Sequence, residues 1–300
     1  MSISIAVESV VFVYPDGTRA LDGVDLRVDP GERLAIVGQN GSGKSTLVRQ
    51  LNGLLRPTEG RVLVGGEDAA RFHVAQLAAR VGLAFQNPDR QIFAGRVRAE
   101  VAFGPRNLGL RGAELERAVD GALDAVGLAE MADHNPYDLG YSRRKLLAIA
   151  SVLAMGTPVV ILDEPTTGQD ARGVARVRAI IDRLSDERRT VIAISHDMRF
   201  VAETSRRVVV MQAGRIVLDG PPATVFAEPN WPALASTYLE PTLPALVGTQ
   251  LGLGCTPTDE ALVAALLARG GRQARRLARA GPGQAPGRPR AGPGQAPAGR

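Results

Sequence analysis

The sequence predicts an α/β fold: a core of buried parallel strands with an antiparallel β region and a helical insertion at roughly 88–155. Three observations point to it. Short apolar runs rich in β-branched residues, Leu34-Ala-Ile-Val37, Val159-Val-Ile-Leu162 and Val191-Ile-Ala-Ile194, have the length and composition of strands covered on both faces. Helical periodicities lie between them. Turn-punctuated segments at the start of the chain and near residue 213 have the spacing of antiparallel ribbons.

The stretch up to about residue 32 and the segment 61–66 read as antiparallel strands, with turns at Asp16-Gly17 and Gly65-Gly66. A helical run over 46–54 follows the first parallel strand. Leu115, Val119, Leu123 and Val126 recur at spacings of four and three, and Gly127 stops that helix. Val174, Val177, Ile180, Ile181 and Leu184 define another apolar face. Strands at Arg207–Gln212 and 215–219 flank Ala213-Gly214 as a hairpin. Further on, residues 229–270 hold the single Trp231, several prolines and a helical run from Asp259. Leu262, Val263, Leu266 and Leu267 form its apolar face, with Thr258 as N-cap and Gly270 as stop.

Composition narrows the function classes. Of 300 residues, 45% are apolar and 22% charged, which suits a water-soluble chain with a substantial core. One cysteine, Cys255, excludes an intrachain disulfide framework, and no base partner is visible beside it. The start of the chain lacks the pattern of a secretory signal, so secretion is not expected. The longest uncharged run, 146–162, is broken by Gly156-Thr157-Pro158 and reads as helix then strand, not as a membrane span. Net charge is +5, but seven arginines and no acid lie in 271–300; the first 270 residues hold 29 basic and 31 acidic side chains. Arg279-Ala-Gly-Pro-Gly-Gln-Ala-Pro286 recurs eleven residues later, so 271–300 reads as a basic, Gly/Pro-rich disordered tail.

Gly38-Gln-Asn-Gly-Ser-Gly43-Lys44-Ser45 matches the G-x-x-x-x-G-K-[ST] loop, between a strand and a helix as that motif requires. Glycines let successive N–H groups turn inward, and the helix presents its positive end to phosphates. The candidate nucleotide-binding residues are Gly38, Gln39, Asn40, Gly41, Ser42, Gly43, Lys44, Ser45 and Thr46. Lys44 is placed to reach the β- and γ-phosphates of a nucleoside triphosphate, Ser45 to offer its hydroxyl to Mg²⁺. The strand 159–163 ends in Asp163-Glu164. A carboxylate at a strand's carboxyl edge suits a hard cation, so Asp163 is a metal candidate; Glu164 is the candidate base for water. Since adjacent strand residues point to opposite sides, the two carboxylates are expected to have separate tasks. His196 after the strand 190–195 is a candidate for contact with the γ-phosphate and Glu164. Gln86 is a candidate for Mg²⁺ or water, and Tyr14 for stacking on a base. His73 and His134 read as structural or surface residues.

In this order and spacing the motifs resemble those of the ATP-binding-cassette (ABC) ATPases, over about residues 3–228. Phe85-Gln-Asn-Pro-Asp-Arg-Gln-Ile-Phe93 and Val101-Ala-Phe-Gly-Pro-Arg-Asn-Leu-Gly-Leu110 resemble the energy-coupling-factor (ECF) group, which powers uptake of vitamins and of cobalt or nickel ions. The resemblance implies a P-loop ABC fold: a RecA-like core, an antiparallel β subdomain and a helical subdomain, spanning 1–230. It implies ATP and Mg²⁺ as cofactors and a dimer with composite sites. Further implied are docking of a transmembrane coupling subunit beside Gln86, a substrate-binding membrane subunit, a peripheral place on the cytoplasmic face of the membrane, and Asp170 in a loop that communicates across the dimer. Residues 231–270 are then either a small dimerisation extension or a helix packed on its own domain.

One motif departs from the family. Where Leu-Ser-Gly-Gly-Gln is usual, this chain has Leu139-Gly140-Tyr141-Ser142-Arg143, followed by Arg144 and Lys145. Ser142 is expected to cap the helix in place of the family serine, with Arg143, Arg144 and Lys145 in the first turn against the macrodipole. Either these cations recognise a γ-phosphate in place of the hydroxyl and glycine amides, with Ser142 and Arg143 as candidate nucleotide contacts, or this signature is degenerate and the partner is a different ATPase; the heterodimer is the favoured reading. A soluble ABC ATPase acting on nucleic acid or ribosomes is the alternative, and no specific nucleic-acid partner is expected. Cargo specificity belongs to another subunit.

Overall fold

The computed structural model describes residues 2–279, with side chains placed for residues 2–270. Strands β1 (Ile5–Val13) and β2 (Arg19–Val28) form an antiparallel hairpin through the Asp16-Gly17 turn, where Gly17 takes φ 85°. Strand β3 (Arg33–Val37) runs into the glycine loop, and helix α1 (Lys44–Leu51) leaves it. Strands β4 (Glu59–Val64) and β5 (Glu67–Asp68) complete a four-stranded antiparallel sheet in the order β2-β1-β4-β5. The helix after the loop starts two residues earlier than its apolar pattern suggests and stops at Leu51, because Gly53 takes φ 76° and turns the chain.

Helix α2 (Val74–Ala78) leads to β6 (Val81–Ala84). Three helices follow: α3 (Val97–Asn107), α4 (Gly112–Val126) and α5 (Tyr141–Ala154). Leu115, Val119, Leu123 and Val126 are all buried, and Gly127 closes α4 in the left-handed conformation (φ 66°) that glycine adopts without steric cost. The chain then returns to the sheet with β7 (Val159–Asp163), α6 (Ala171–Asp186), β8 (Thr190–Ile194), α7 (Met198–Thr204), β9 (Arg207–Gln212) and β10 (Arg215–Gly220). The six-stranded sheet has the order β10-β9-β3-β8-β7-β6, parallel except for the hairpin edge β10. Strands β7 and β8 are buried at every residue, which is why they read as unbroken apolar runs. One apolar core fills the space between the two sheets and α1; another joins the opposite sheet face to α3–α6.

Four C-terminal helices follow: α8 (Pro222–Val225), α9 (Trp231–Ser236), α10 (Leu243–Gln250) and α11 (Asp259–Arg279). The Thr258 hydroxyl accepts from Ala261 N at 3.2 Å, as a helix N-cap does. Gly270 is not a stop: α11 continues through Gly270 and Gly271 to Arg279. Glycine inside a helix costs only about 1 kcal/mol relative to alanine, and strong helix formers surround this pair. The tail boundary expected at 271 therefore falls inside a helix, and residues 280–300 lie outside the described residues. Val263, Leu266 and Leu267 of α11 are exposed. No described helix is long and apolar enough to cross a membrane.

Candidate nucleotide site

Strand β3 delivers the glycine loop to the carboxyl edge of the parallel sheet. Gly38, Gly41 and Gly43 take φ of 148°, 80° and 101°. A Cβ on Gly38 would sit 2.3 Å from the Met211 carbonyl oxygen, and one on Gly43 would sit 2.5 Å from that of Ala20. The loop is thus wedged between β9 and β2, with space only for bare backbone. Lys44, the first residue of α1, is buried, and its Nζ donates to the carbonyls of Gly38 (2.7 Å) and Gln39 (2.8 Å). Burial lowers its pKa; the charges of Glu164 and Asp163 oppose that shift.

A cavity of about 510 Å³ opens over this loop. It is lined by residues 40–46 together with Tyr14, Gln86, Asp163 and Glu164. Asp163 ends β7, is buried, and its Oδ1 has no hydrogen-bond partner. Burial raises the carboxyl pKa, the Ser45 hydroxyl draws it down, and the Glu164 charge raises it again. A buried carboxylate oxygen left over beside a serine hydroxyl suits a hard divalent cation. Among the described residues no three His, Cys, Asp or Glu side chains form a group that could hold a metal ion by themselves. A cation here would therefore draw on Ser45, Asp163 and oxygens brought by a nucleotide.

Glu164 corrects one sequence expectation. It does not alternate with Asp163 to the opposite side: its φ of 51° is left-handed, and its N–H donates to Ile194 O at 2.9 Å. That turn brings both carboxylates into one cavity, at a backbone cost of order 1 kcal/mol or more for a non-glycine residue. Glu164 Oε2 lies 2.8 Å from His196 Nδ1 and accepts from Thr167 Oγ1 at 3.3 Å. The carboxylate is 8% exposed and the imidazole 64%, so the histidine covers the acid from the solvent side.

Tyr14 is half-buried at the cavity rim, its hydroxyl 3.0 Å from Thr46 Oγ1 and its ring edge-on to Phe12. Beside it the cavity is also walled by Thr18, Arg19 and Ala20 of the β1–β2 turn and strand. Sequence reasoning missed these three; their only signal was closeness to the Tyr14–Gly17 turn.

Ser142 and Arg143 are absent from this cavity and sit at the start of α5. Ser142 does not cap that helix. The N-cap is Gly140, which has no side chain to accept a bond, and α5 starts at Tyr141. The Ser142 hydroxyl instead donates to Gln169 Oε1 (2.8 Å), while Gln169 Nε2 donates to Ser142 O (3.0 Å). Nor are the three cations stacked at the open helix end. Arg143 turns to Met131 Sδ at 3.5 Å, and Arg144 donates to Leu139 O at 2.8 Å and pairs with Asp89 at 3.1 Å. Lys145 goes inward, and burial pushes its ammonium down to about 8. Asp170 caps α6, accepting from Gly173 N at 2.7 Å.

Residues 21–167 match the family model described as ABC transporter. The energy-coupling factor transporter ATP-binding protein EcfA of Methanothermobacter thermautotrophicus is 40% identical over 226 residues, 75% of this chain and 73% of that protein. The chain belongs to the ABC transporter ATP-binding proteins. A longer relative in Methanosarcina acetivorans is 42% identical over 226 residues, and the match spans 37% of its length. Among solved structures, the cassette superposes on cbiO1 of Clostridium perfringens, part of the ABC transporter complex cbiONQ, with TM-score 0.69 and 35% identity over 84% of this chain and all of that one. It also superposes on a dimeric ATP-binding cassette in a post-hydrolysis state with ADP and Pi, with TM-score 0.67 and 25% identity over 72% and 98% of the two chains. The cassette is an ATPase.

The departed signature gives a direct test. Gly140 has φ −61°, ψ 158°, and a Cβ there meets nothing within 4 Å. Gly140→Ser is therefore expected to fit and to supply the missing cap, adding about 0.3–0.5 kcal/mol of stability. Thermal melting reads this as a rise of about 1 °C. A fall in melting temperature would show that the end of α5 is closed to a side chain.

Proposed function

We propose that this cassette is the ATP-hydrolysing subunit of an energy-coupling-factor type importer of vitamins or of cobalt or nickel ions, held at the cytoplasmic face of the membrane. The observation that carries this is the position of Gln86 between two openings. On one side it lines the nucleotide cavity. On the other it borders a cavity of about 490 Å³ that shares Leu54 and Phe85 with an apolar groove of about 330 Å³. Phe93 and Phe103 stand in that groove edge to face, centroids 4.7 Å apart, and both are exposed. Glu100, buried beneath them, accepts the N–H groups of Phe93 (3.0 Å) and Ala94 (2.8 Å) and fixes the loop. Fixed, exposed aromatics in a cleft are the anchors that protein interfaces use. A helix of the membrane-embedded coupling subunit is the occupant we assign, in line with the likeness to a cassette of a cbiONQ complex.

Within this reading, Lys44 and the N–H groups of the loop hold the β- and γ-phosphates. Ser45, Gln86 and Asp163 would hold Mg²⁺, which when bound supplies positive charge against the phosphate oxygens. Glu164 takes the proton of the attacking water, and His196 keeps that carboxylate aimed. Gln86 orients the water or the cation, and Tyr14 flanks the base at the rim. A second protomer contributes its signature segment across the nucleotide. With Gly140 in place of the family serine, the partner is best a different ATPase carrying an intact signature, so that this chain's loop and Glu164 form the working site. Activity of this chain alone that equals the activity of the mixture with such a paralogue would remove the heterodimer.

Docking is tested separately. Phe103→Asp puts a charge into the apolar cleft, where desolvation of a carboxylate is costly. Expected is loss of co-purification with the membrane fraction, with ATP affinity retained. A variant still retained on membranes would overturn the groove as docking site.

A further inference from the structure

The chain has two lysines, and both are buried. Lys44 belongs to the glycine loop. Lys145 does not line the nucleotide cavity, yet it is one of the largest fully buried side chains, 1% exposed. A buried ammonium is costly unless something fixed receives it. Here the receiver is the main-chain carbonyl of Gln86, 2.9 Å from Nζ, with Glu164 and Asp163 close enough to favour the charge electrostatically.

The neighbouring contacts show what the bond is part of. Gln91 accepts from Phe85 N at 3.0 Å and donates to Ala148 O of α5 at 2.8 Å. Arg144 pairs with Asp89 at 3.1 Å. Residues 144, 145 and 148 lie along one side of α5, and together they grip the segment 85–91 at three points. Strand β6, just before that segment, belongs to the core sheet through its pairing with β7. The chain is therefore held by the sheet up to Ala84 and by α5 from Phe85 onward. Of the three ties, only Lys145 acts on Gln86 itself.

We propose that Lys145 is a positioning residue for ATP hydrolysis: its ammonium fastens the backbone of Gln86 to α5 and so sets where Gln86 stands at the nucleotide cavity. This rests on the role given to Gln86 above. The bond is to main chain, so it sets where residue 86 stands whatever its side chain contacts. Placement errors of about 1 Å around reacting atoms cost on the order of 10²-fold in rate, which is the scale a lost tether would reach.

The test compares Lys145→Met with Lys145→Gln: both side chains are one atom shorter than lysine, and only glutamine keeps an N–H. Both are measured in the assembly in which the native chain turns over. The Met variant is expected to hold ATP with a Kd within about two-fold of native, since the loop is untouched, while kcat falls about 10- to 100-fold. Its melting temperature should not drop, because an apolar side chain replaces a buried charge. The Gln variant should recover most of the lost kcat. Native kcat in the Met variant, or equal loss in Met and Gln, would overturn the tether. Gln86→Ala is run alongside. If it too turns over normally, the role of Gln86 falls and the tether has nothing to act on; if it is impaired while Met is native, the tether alone is wrong.

A measurement on the native chain guards against a variant that does not fold. With two lysines, amine-reactive labelling read by mass spectrometry reports each separately. Lys145 should stay protected with and without Mg-ATP, while the labelling of Lys44 drops on binding. Nucleotide-dependent labelling of Lys145 would mean that the bond opens during the cycle, and would overturn the proposal.

Discussion

Glu164→Gln is expected to lower ATP turnover by about 10²- to 10⁴-fold, the range a positioned general base contributes, with ATP affinity unchanged. The argument is geometric. Glu164 Oε2 is held at 2.8 Å from His196 Nδ1 and 3.3 Å from Thr167 Oγ1, on a left-handed backbone that turns it into the cavity beside Asp163. Glutamine keeps the volume, the turn and a carbonyl oxygen for the same partners, so the loop and Asp163 are left in place. Only the capacity to take a proton is removed. The loss should therefore appear in kcat and leave Kd alone. Single-turnover hydrolysis and equilibrium ATP binding on the same preparation separate the two; turnover within a few-fold of native would remove Glu164 as the base. His196→Ala should cost less, since the exposed imidazole aims the carboxylate but does not replace it.

What could be read from sequence followed from how local each constraint is. The loop 38–45 with its strand 33–37, and the run 159–164, are contiguous: strand, turn chemistry and functional side chain lie within thirteen and six residues, so each motif carries its own context. The apolar faces of α4 and α6 were legible for the same reason, since their spacing is set by the helix itself. What stayed hidden depended on long-range packing. Thr18, Arg19 and Ala20 meet the cavity because β2 crosses behind the loop, a contact that Ala20 and Gly43 make across 23 residues. By sequence Lys145 is a first-turn charge against the helix dipole. Only the approach of the segment 85–91 makes it an interior group. Alternation would turn Glu164 away from Asp163, but it holds only to the strand's last residue, and φ of 51° begins just beyond it. At Ser142 the error was one of register. A hydroxyl near a helix start suggests a cap, but the pairing with Gln169, 27 residues on, uses it instead.

Lys44→Ala is expected to abolish measurable ATP binding at millimolar nucleotide while leaving the fold intact. Two opposing effects set the expectation. Each charge-assisted hydrogen bond lost to a phosphate oxygen is worth about 1.5–3 kcal/mol, so two of them weaken binding by about 10²- to 10⁴-fold. On the stability side, the Gly38 and Gln39 carbonyls lose the donor they have at 2.7 and 2.8 Å. The same substitution removes a buried charge whose desolvation opposes folding, so the net change in stability is small. The loop itself does not depend on the lysine for its shape. It is fixed by Gly38 against Met211 and by Gly43 against Ala20, contacts of bare backbone that alanine at 44 leaves alone. Calorimetry with Mg-ATP should then give no heat from a protein whose melting curve stays within about 2–4 °C of native, the equivalent of about 1 kcal/mol for a chain of this size. Native-like heat from Lys44→Ala would mean that the triphosphate is held elsewhere, and the cavity over residues 40–46 would lose its assignment.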